Sequence, residues 1–214
     1  MKAVIICNGE FPRKEFPRFL IRGADLRVCC DAGSGLKGLL RMGLVPDVIV
    51  GDMDSAPENF LKSFGGRIVR VDEQDDNDLA KAFAWLRENH PEADEINIVG
   101  ASGRSEAHSL GNLAWLMEWE KRHGLAARGI RVQMVSDYNV AFAISGTTQL
   151  HVGEGRKVSV FSADPAVRIE SSGLQWPTGG VVFDAWWKGS LNRAYADVIT
   201  LSPSGGAPVL VILD

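Results

Sequence analysis

Two aspartates lie two residues apart in Gly51-Asp-Met-Asp-Ser55, immediately after the apolar run Val48–Val50. Carboxylates that close repel one another unless a cation sits between them, and hard carboxylate oxygens suit Mg²⁺, which takes one or two of them and fills the rest of its shell with phosphate oxygens and water. A second acidic group, Asp75, Asp76 and Asp78, follows the next apolar run and leads into a helix-like stretch. Acids at a helix N-terminus are stabilising in themselves, and for Asp76 that is sufficient reason to be there. An EF-hand is excluded, because the third acid and the Glu at the twelfth loop position are absent. Gly100-Ala-Ser-Gly103 closes another strand-like run before a long helix, an arrangement whose backbone N–H groups can hold phosphate. Arg104 beside this loop, and His108 and Asn112 one turn apart on the helix, add to that reading. A plain turn is the alternative for the loop, and a helix-surface histidine is the alternative for His108.

The elements that must position these groups follow from patterning. The runs Ala3–Asn8, Leu26–Asp31, Val48–Asp52, Arg67–Asp72, Glu95–Gly100 and Arg131–Ser136 are mostly continuous and apolar, as in parallel strands covered on both faces. Helical stretches are expected between them at Leu36–Met42, Pro57–Phe64, Asn77–Asn89 and Ala107–His123. In the last, Leu110, Leu113, Ala114 and Met117 recur at helical spacing and Gly124 supplies a stop. This predicts an α/β domain over 1–138, an open, mostly parallel, Rossmann-like sheet with helices on both faces. Ligands of such sheets bind beyond the carboxyl ends of the strands, which brings Asp31, Asp52, Asp72 and Ser102 to one rim. From residue 139 onward the pattern changes to short β-rich runs broken by Gly and Pro: Thr148–Val152, Lys157–Ser162, Val167–Ser171, Val181–Trp187, Asp197–Leu201 and Val209–Leu213. These predict a small all-β sandwich over 139–214.

Composition narrows the function class. A formal net charge of −4 argues against a nucleic-acid binder that works by neutralising phosphates. The three cysteines, Cys7, Cys29 and Cys30, form no C-x-x-C pair and sit in apolar runs, so they read as buried, reduced thiols. The N-terminal apolar run is too short for a signal peptide or a membrane span, so a cytoplasmic protein is expected.

Gly33-Ser-Gly-Leu-Lys-Gly38 satisfies the dinucleotide fingerprint G-x-G-x-x-G, with Asp52 about twenty residues on. It follows the second strand instead of the first, Asp31 would repel a pyrophosphate placed there without metal, and Gly43 cuts the helix short. A dinucleotide-dependent oxidoreductase is therefore the last of the rivals. A Walker-type loop is absent.

Taken together and in order, Asp31-Ala-Gly33, Gly51-Asp-Met-Asp-Ser55, Asp75-Asp-Asn-Asp-Leu79, Gly100-Ala-Ser-Gly103, His108-Ser-Leu-Gly-Asn112, Gly173-Leu-Gln-Trp-Pro177 and Gly189-Ser-Leu-Asn192 resemble the thiamine pyrophosphokinase family over nearly the whole chain. The resemblance implies transfer of the terminal diphosphate of ATP to the hydroxyl of thiamine, with Mg²⁺, in a homodimer whose active sites lie between subunits. It implies Asp52, Asp54 and Asp78 as catalytic metal ligands. It also implies Asp31, Gly100, Ser102, Gly103, Arg104, His108 and Asn112 at ATP, and Asp75, Ser190, Asn192, Trp176 and Trp187 at thiamine. An indole face also suits a thiazolium cation, although core packing is the ordinary role of tryptophan and at least one of Trp186 and Trp187 is expected to be core. Four positions depart from the family pattern: Gly35 for Asn, Asn77 for Thr, and Ser105 and Ala107 for Arg and Asp. The last two remove a cation and an acid and imply slowed turnover. Two readings stay beside the kinase: a thiamine or nucleotide sensor on the same scaffold, and a diphosphokinase for another hydroxymethyl heterocycle such as a pterin.

Overall fold

The computed structural model describes residues 1–54, 57–73 and 75–214; Ser55 of the Gly51–Ser55 motif lies outside them. The chain divides into two compact units, Met1–Asn112 with Ile130–Asp137, and Leu113–Gly129 with Tyr138–Asp214. The fold is mixed α/β, a mostly parallel sheet accompanied by antiparallel strands.

The first unit holds strands β1 (Lys2–Ile6), β2 (Leu26–Cys30), β3 (Val48–Gly51), β4 (Ile68–Arg70), β5 (Glu95–Val99) and β6 (Arg131–Val135). All pair in parallel, in the order β6-β5-β1-β2-β3-β4. Every residue of β1 after Lys2, of β3, and of β5 after Glu95 is buried, which is why these runs are continuously apolar instead of alternating. The chain winds outward from β1 through β4 and then returns to place β5 on the other side of β1. The reversal between β1 and β5 is the topological switch point, where ligands of open α/β sheets bind.

The helices are α1 (Glu15–Arg22), α2 (Ser34–Arg41), α3 (Glu58–Leu61), α4 (Asp78–Asn89) and α5 (Glu106–His123). The sequence pattern missed α1. Pro17 falls in its first turn, where its missing N–H has no intrahelical carbonyl to reach. The Asp137 carboxylate accepts from the Arg13 and Lys14 N–H groups just ahead of it. Helix α3 is a single turn, continued by a 3₁₀ segment, Lys62–Arg67. The buried side of α5 also differs from expectation. Leu110 and Ala114 are exposed, whereas Asn112, Leu116, Trp119 and Glu120 are buried. Two of those four are polar and satisfied in place: Glu120 accepts from Ser145 Oγ and the Ala126 N–H. A hydropathy pattern therefore pointed to the neighbouring stripe.

The second unit contains one antiparallel sheet in the order β11 (Asn192–Arg193), β9 (Lys157–Ser162), β13 (Val209–Leu213), β7 (Val140–Ile144). A second antiparallel sheet runs β10 (Ile169–Ser172), β12 (Val198–Pro203), β8 (Thr148–His151). Side chains of both, among them Val158, Val160, Ile169, Ile199, Leu201 and Val211, share one apolar core, which makes the unit a sandwich. Strand β7 was not anticipated. The expected strand Val181–Trp187 is not formed: Phe183 plugs the core and Trp186–Gly189 turn as a 3₁₀ helix. Trp186 and Trp187 are 54% and 73% exposed, so neither is the core residue expected.

Candidate active site

The acidic residues converge where the topology places them. Asp31, just past β2, Asp52, just past β3, and Asp54 each offer a carboxylate oxygen within 4.8 Å of the others'. Two residues here adopt left-handed backbone, Asp31 (φ 54°) and Met53 (φ 65°). Strain of this kind outside glycine costs on the order of 1–3 kcal/mol and collects at functional sites. At Met53 it turns the chain between Asp52 and Asp54, while the Met53 side chain is buried. Asp31 is 2% exposed, and its Oδ1 has no hydrogen-bond partner among the described residues. A buried, unpartnered carboxylate oxygen facing two further carboxylates is costly without a cation, and the donor set is all hard oxygen. The residues present thus fit a divalent metal. The tight geometric group holds Asp31, Asp52 and Asp54; Asp78, expected as a ligand with Asp52 and Asp54, lies near enough to feel all three charges.

Asp78 enters through its field. Burial first, then repulsion from Asp31 and Asp52, pushes its carboxyl above the usual range. It opens α4, whose N-cap is Asn77: the Asn77 Oδ1 accepts from the Ala80 N–H at 2.9 Å. Asn77 Nδ2 also donates to Asn112 Oδ1 at 3.0 Å, and Asn112 Nδ2 donates to the Ala101 carbonyl at 2.8 Å. This amide pair ties the Asp78 helix to the Gly100–Gly103 loop. Asn112 is 8% exposed with its amide fully engaged, so it positions the loop more than it offers a free contact. Asn77, a departure from the family pattern, retains the capping function of a threonine and adds this bridge.

A cavity of about 380 Å³ lies at the switch point. Asp52, Asp78, Gly100, Ser102, Arg104, His108 and Asn112 line it, as do two residues that the motifs did not single out, Asn8 and Lys81. Lys81, one turn after Asp78, is buried apart from its path to the Val71 carbonyl and the cavity. Its signal was available as an Asp-x-x-Lys spacing on one helix face. His108 is exposed on the wall. Asp76 lines the cavity and Asp75 does not; the Asp75 and Asp76 N–H groups both donate to the Glu73 carboxylate. Cys7 and Cys30 form part of the cavity lining, their sulfurs 3.6 Å apart, and all three cysteines are free and buried. The hydrogen bond with Cys7, then burial, raises the Cys30 thiol, and burial raises Cys29, so these thiols stay protonated.

The glycines of the G-x-G-x-x-G fingerprint have packing roles. A Cβ on Gly35 would stand 2.4 Å from the Cys7 carbonyl oxygen, and one on Gly38 would strike the Phe11 ring. Asn8 closes the start of α2: its Oδ1 accepts from the Gly35 N–H, its Nδ2 donates to the Cys30 carbonyl, and its own carbonyl accepts from Ser34 Oγ. Helix α2 therefore seats on β1 instead of cradling a pyrophosphate.

Ser105 has a structural role that the sequence comparison hid. Its Oγ accepts from the His108 N–H at 3.3 Å and its carbonyl from the Ser109 N–H at 2.9 Å, which makes it the cap of α5.

In the second unit, the Gly189–Asn192 turn is bonded to the backbone of two tryptophans. Ser190 Oγ donates to the Trp187 carbonyl at 2.7 Å. Asn192 Nδ2 donates to the Trp176 carbonyl at 2.6 Å, and its Oδ1 accepts from the Trp176 N–H at 3.2 Å. Trp176 is 56% exposed.

Comparison with known proteins converges on one family. Residues 18–127 match the family described as "Thiamin pyrophosphokinase, catalytic domain", and residues 140–210 match "Thiamin pyrophosphokinase, substrate-binding domain". The rice protein Thiamine pyrophosphokinase 1 is 30% identical over 201 residues, covering 81% of this chain and 72% of its own. Its Arabidopsis counterpart is 26% identical over the same shares. Among solved structures, thiamin pyrophosphokinase from Geobacillus thermodenitrificans superposes with a TM-score of 0.77 at 22% identity, over 100% of this chain and 97% of that one. The yeast enzyme does so at 0.74 and 16%, over 99% and 85%. At those identities the structures establish the fold, while the two domain matches carry the assignment: the chain belongs to the thiamine pyrophosphokinase family, a family of ATP:thiamine diphosphotransferases.

Proposed function

We propose that this protein transfers the diphosphate of ATP to the hydroxyl of thiamine, with Mg²⁺ held by Asp31, Asp52 and Asp54. The observation that carries the reading is the convergence of these three carboxylates, one of them buried and unpartnered, beside a cavity at the sheet's switch point. A bound Mg²⁺ supplies charge neutralisation for the triphosphate. The chain's own groups do the rest. The Gly100–Gly103 backbone and the α5 N-terminus receive phosphate oxygens, with Arg104, Lys81 and His108 around them and Asn112 fixing the loop. Asp78 borders the reacting groups. Trp176 and Trp187 hold the thiazolium, Ser190 and Asn192 orienting them through the bonds described above; Asp75 contributes from the rim. The thiamine hydroxyl oxygen bonds to the β-phosphorus and gives up its proton to solvent, the bridge from that phosphorus to the α-phosphate oxygen breaks, and the bridging oxygen leaves on AMP. Incubation with ATP, Mg²⁺ and thiamine should yield AMP and thiamine diphosphate in equal amounts. Formation of ADP, or AMP release only with a pterin, would replace this reading with one of its rivals.

The sensor reading has one observation in its favour, the Ser105-Glu-Ala107 row in place of the family's Arg and Asp. Losing both charges leaves no unpaired buried ion, so fold and binding survive, while bidentate phosphate geometry is lost; Arg104, one position away, restores field but not direction. The double variant Ser105→Arg/Ala107→Asp should turn over at least about tenfold faster, roughly 1.4 kcal/mol of transition-state stabilisation. Because Ser105 caps α5, the same variant should lose about 1 kcal/mol of fold stability. Each single restoration should accelerate less. A double variant with unchanged rate and unchanged substrate affinity would show that these positions do not limit turnover.

A two-fold homodimer and a cytoplasmic location belong to the same reading. Exposed Trp176, Trp186, Trp187, Leu191 and Tyr195 in the β unit support the dimer, since large apolar side chains gathered on one small unit suit a partner surface. Light scattering at micromolar concentration should give twice the 23.2 kDa chain mass; the monomer mass would count against it. Among the described residues no helix is long and apolar enough to cross a membrane.

A further inference from the structure

A second cavity of the first unit, about 830 Å³, is cationic in a protein whose net charge is −4. Arg13, Arg18, Lys37, Arg41 and Arg104 line it against a single carboxylate, Glu10. Glu10 lies 3.7 Å from Arg13, which leaves the other four cations without a carboxylate partner among the described residues. Two observations show that this charge is not incidental. Arg18 Nε is buried and has no hydrogen-bond partner among the described residues, so one donor of a permanently charged side chain beside this cavity is left unsatisfied. Lys37 and Arg41 stand one turn apart on the same face of α2, a like-charge pair that works against the helix unless an anion lies over it.

We propose that this cavity binds a metal-free phosphate group carried on an organic molecule. Guanidinium forks match phosphate oxygens in pairs, and a phosphate dianion supplies the charge and the number of acceptors that several cations require, where one carboxylate would not. Phe11, Pro12 and Met42 give the same cavity an apolar wall, and its volume is in the range of small-molecule sites. The two cavities neutralise phosphate in opposite ways. The first sets Asp52, Asp76 and Asp78 among its cations, so a metal ion aids its hold on phosphate, whereas this one accepts phosphate directly and would lose affinity if metal covered the anion. They share Gly9 and Arg104, so they adjoin.

The test is binding in the presence of EDTA, with AMP and inorganic phosphate as separate probes, by calorimetry on the full chain. The wild-type protein should bind AMP without metal, and Lys37→Gln/Arg41→Gln and Arg18→Gln should each weaken it at least tenfold. Arg41→Lys, which keeps the charge, should stay within a few-fold and controls for folding. If inorganic phosphate binds and competes with AMP, the cavity is a general phosphate seat; if only AMP binds, the organic wall is part of the recognition, and either result supports the proposal. No binding in EDTA, or equal affinity in the charge-removing variants, overturns it. The proposal stands apart from diphosphate transfer. An active enzyme whose AMP affinity ignores these residues removes the cavity assignment alone, and an inactive protein that binds AMP through them removes only the transfer reading.

Discussion

Replacing Asp52 or Asp54 with asparagine should lower turnover at least about a hundredfold, close to 2.7 kcal/mol of transition-state stabilisation, the scale seen when a preorganised electrostatic group is removed. The substitution keeps the shape and removes one charge from a group of oxygens lying within 4.8 Å. Binding of thiamine, which meets the other unit in the proposed arrangement, should change little, so the loss falls on kcat. Wild-type rates at saturating Mg²⁺ would remove the metal assignment. A second readout does not depend on activity. Mg²⁺ should raise the melting temperature of the wild-type protein and do so less in either variant, because a ligand that binds only the folded state stabilises it. The pH dependence of that gain follows from Asp78, whose carboxyl is raised by burial and by Asp31 and Asp52. The folded state holds this proton more tightly than the unfolded chain, so the proton's stabilisation is complete below the ordinary carboxylate value of about 4 and is lost as pH rises through the raised value. Above it, the ionised cluster opposes folding and a cation relieves it. The Mg²⁺-induced gain should therefore grow from acid toward neutral pH; a gain independent of pH across that window would separate Asp78 from the metal site.

Gly189→Ala should destabilise the protein by about 3 kcal/mol or more, at the upper end of what overpacking costs. A Cβ at this position would lie 1.8 Å from the Val160 carbonyl oxygen and 2.9 Å from the Phe183 ring. The first obstacle is backbone of β9, a strand held in register by its pairing with β13. At this chain length the loss corresponds to a fall of roughly 6–12 °C in melting temperature. It should be accompanied by weakened thiamine binding, since the turn that Gly189 opens holds Trp187 and Trp176 through Ser190 and Asn192. Gly180→Ala is the control: nothing lies within 4 Å of its added carbon, and it should melt within a few degrees of wild type. Equal melting of the Gly189 and Gly180 variants would mean that the turn can move away from β9.

Gly35 shows the limit of motif comparison. Against the family pattern, glycine for asparagine is a mild change on the nucleotide side. In the fold, Gly35 sits against the Cys7 carbonyl at a distance that excludes any Cβ, so restoring asparagine here would require α2 to move off β1. Asn192 carries the same lesson. It matches a thiamine-side motif, yet its amide is spent on the Trp176 and Arg193 backbone, and its effect on a ligand passes through the indole that it positions.

Residue order alone determined the parallel sheet, the acidic strand ends and the family, because buried parallel strands must be continuously apolar and the groups that face a ligand must follow them in loops. The helix stop at Gly124 was legible too, since it is settled within a few residues. What only the tertiary structure decided depends on contacts between segments distant in the chain. Helix α1 is held by Asp137 from more than a hundred residues away, and the Val181–Trp187 run gives Phe183 to the core instead of forming a strand. Asp31 comes within 4.8 Å of Asp52 and Asp54 because strand pairing sets β2 directly beside β3. The cationic cavity had no signature in the sequence. Its charges come from the loop after β1, from α1, from α2 and from the loop after β5, and only the winding of the chain about the switch point brings them to one surface.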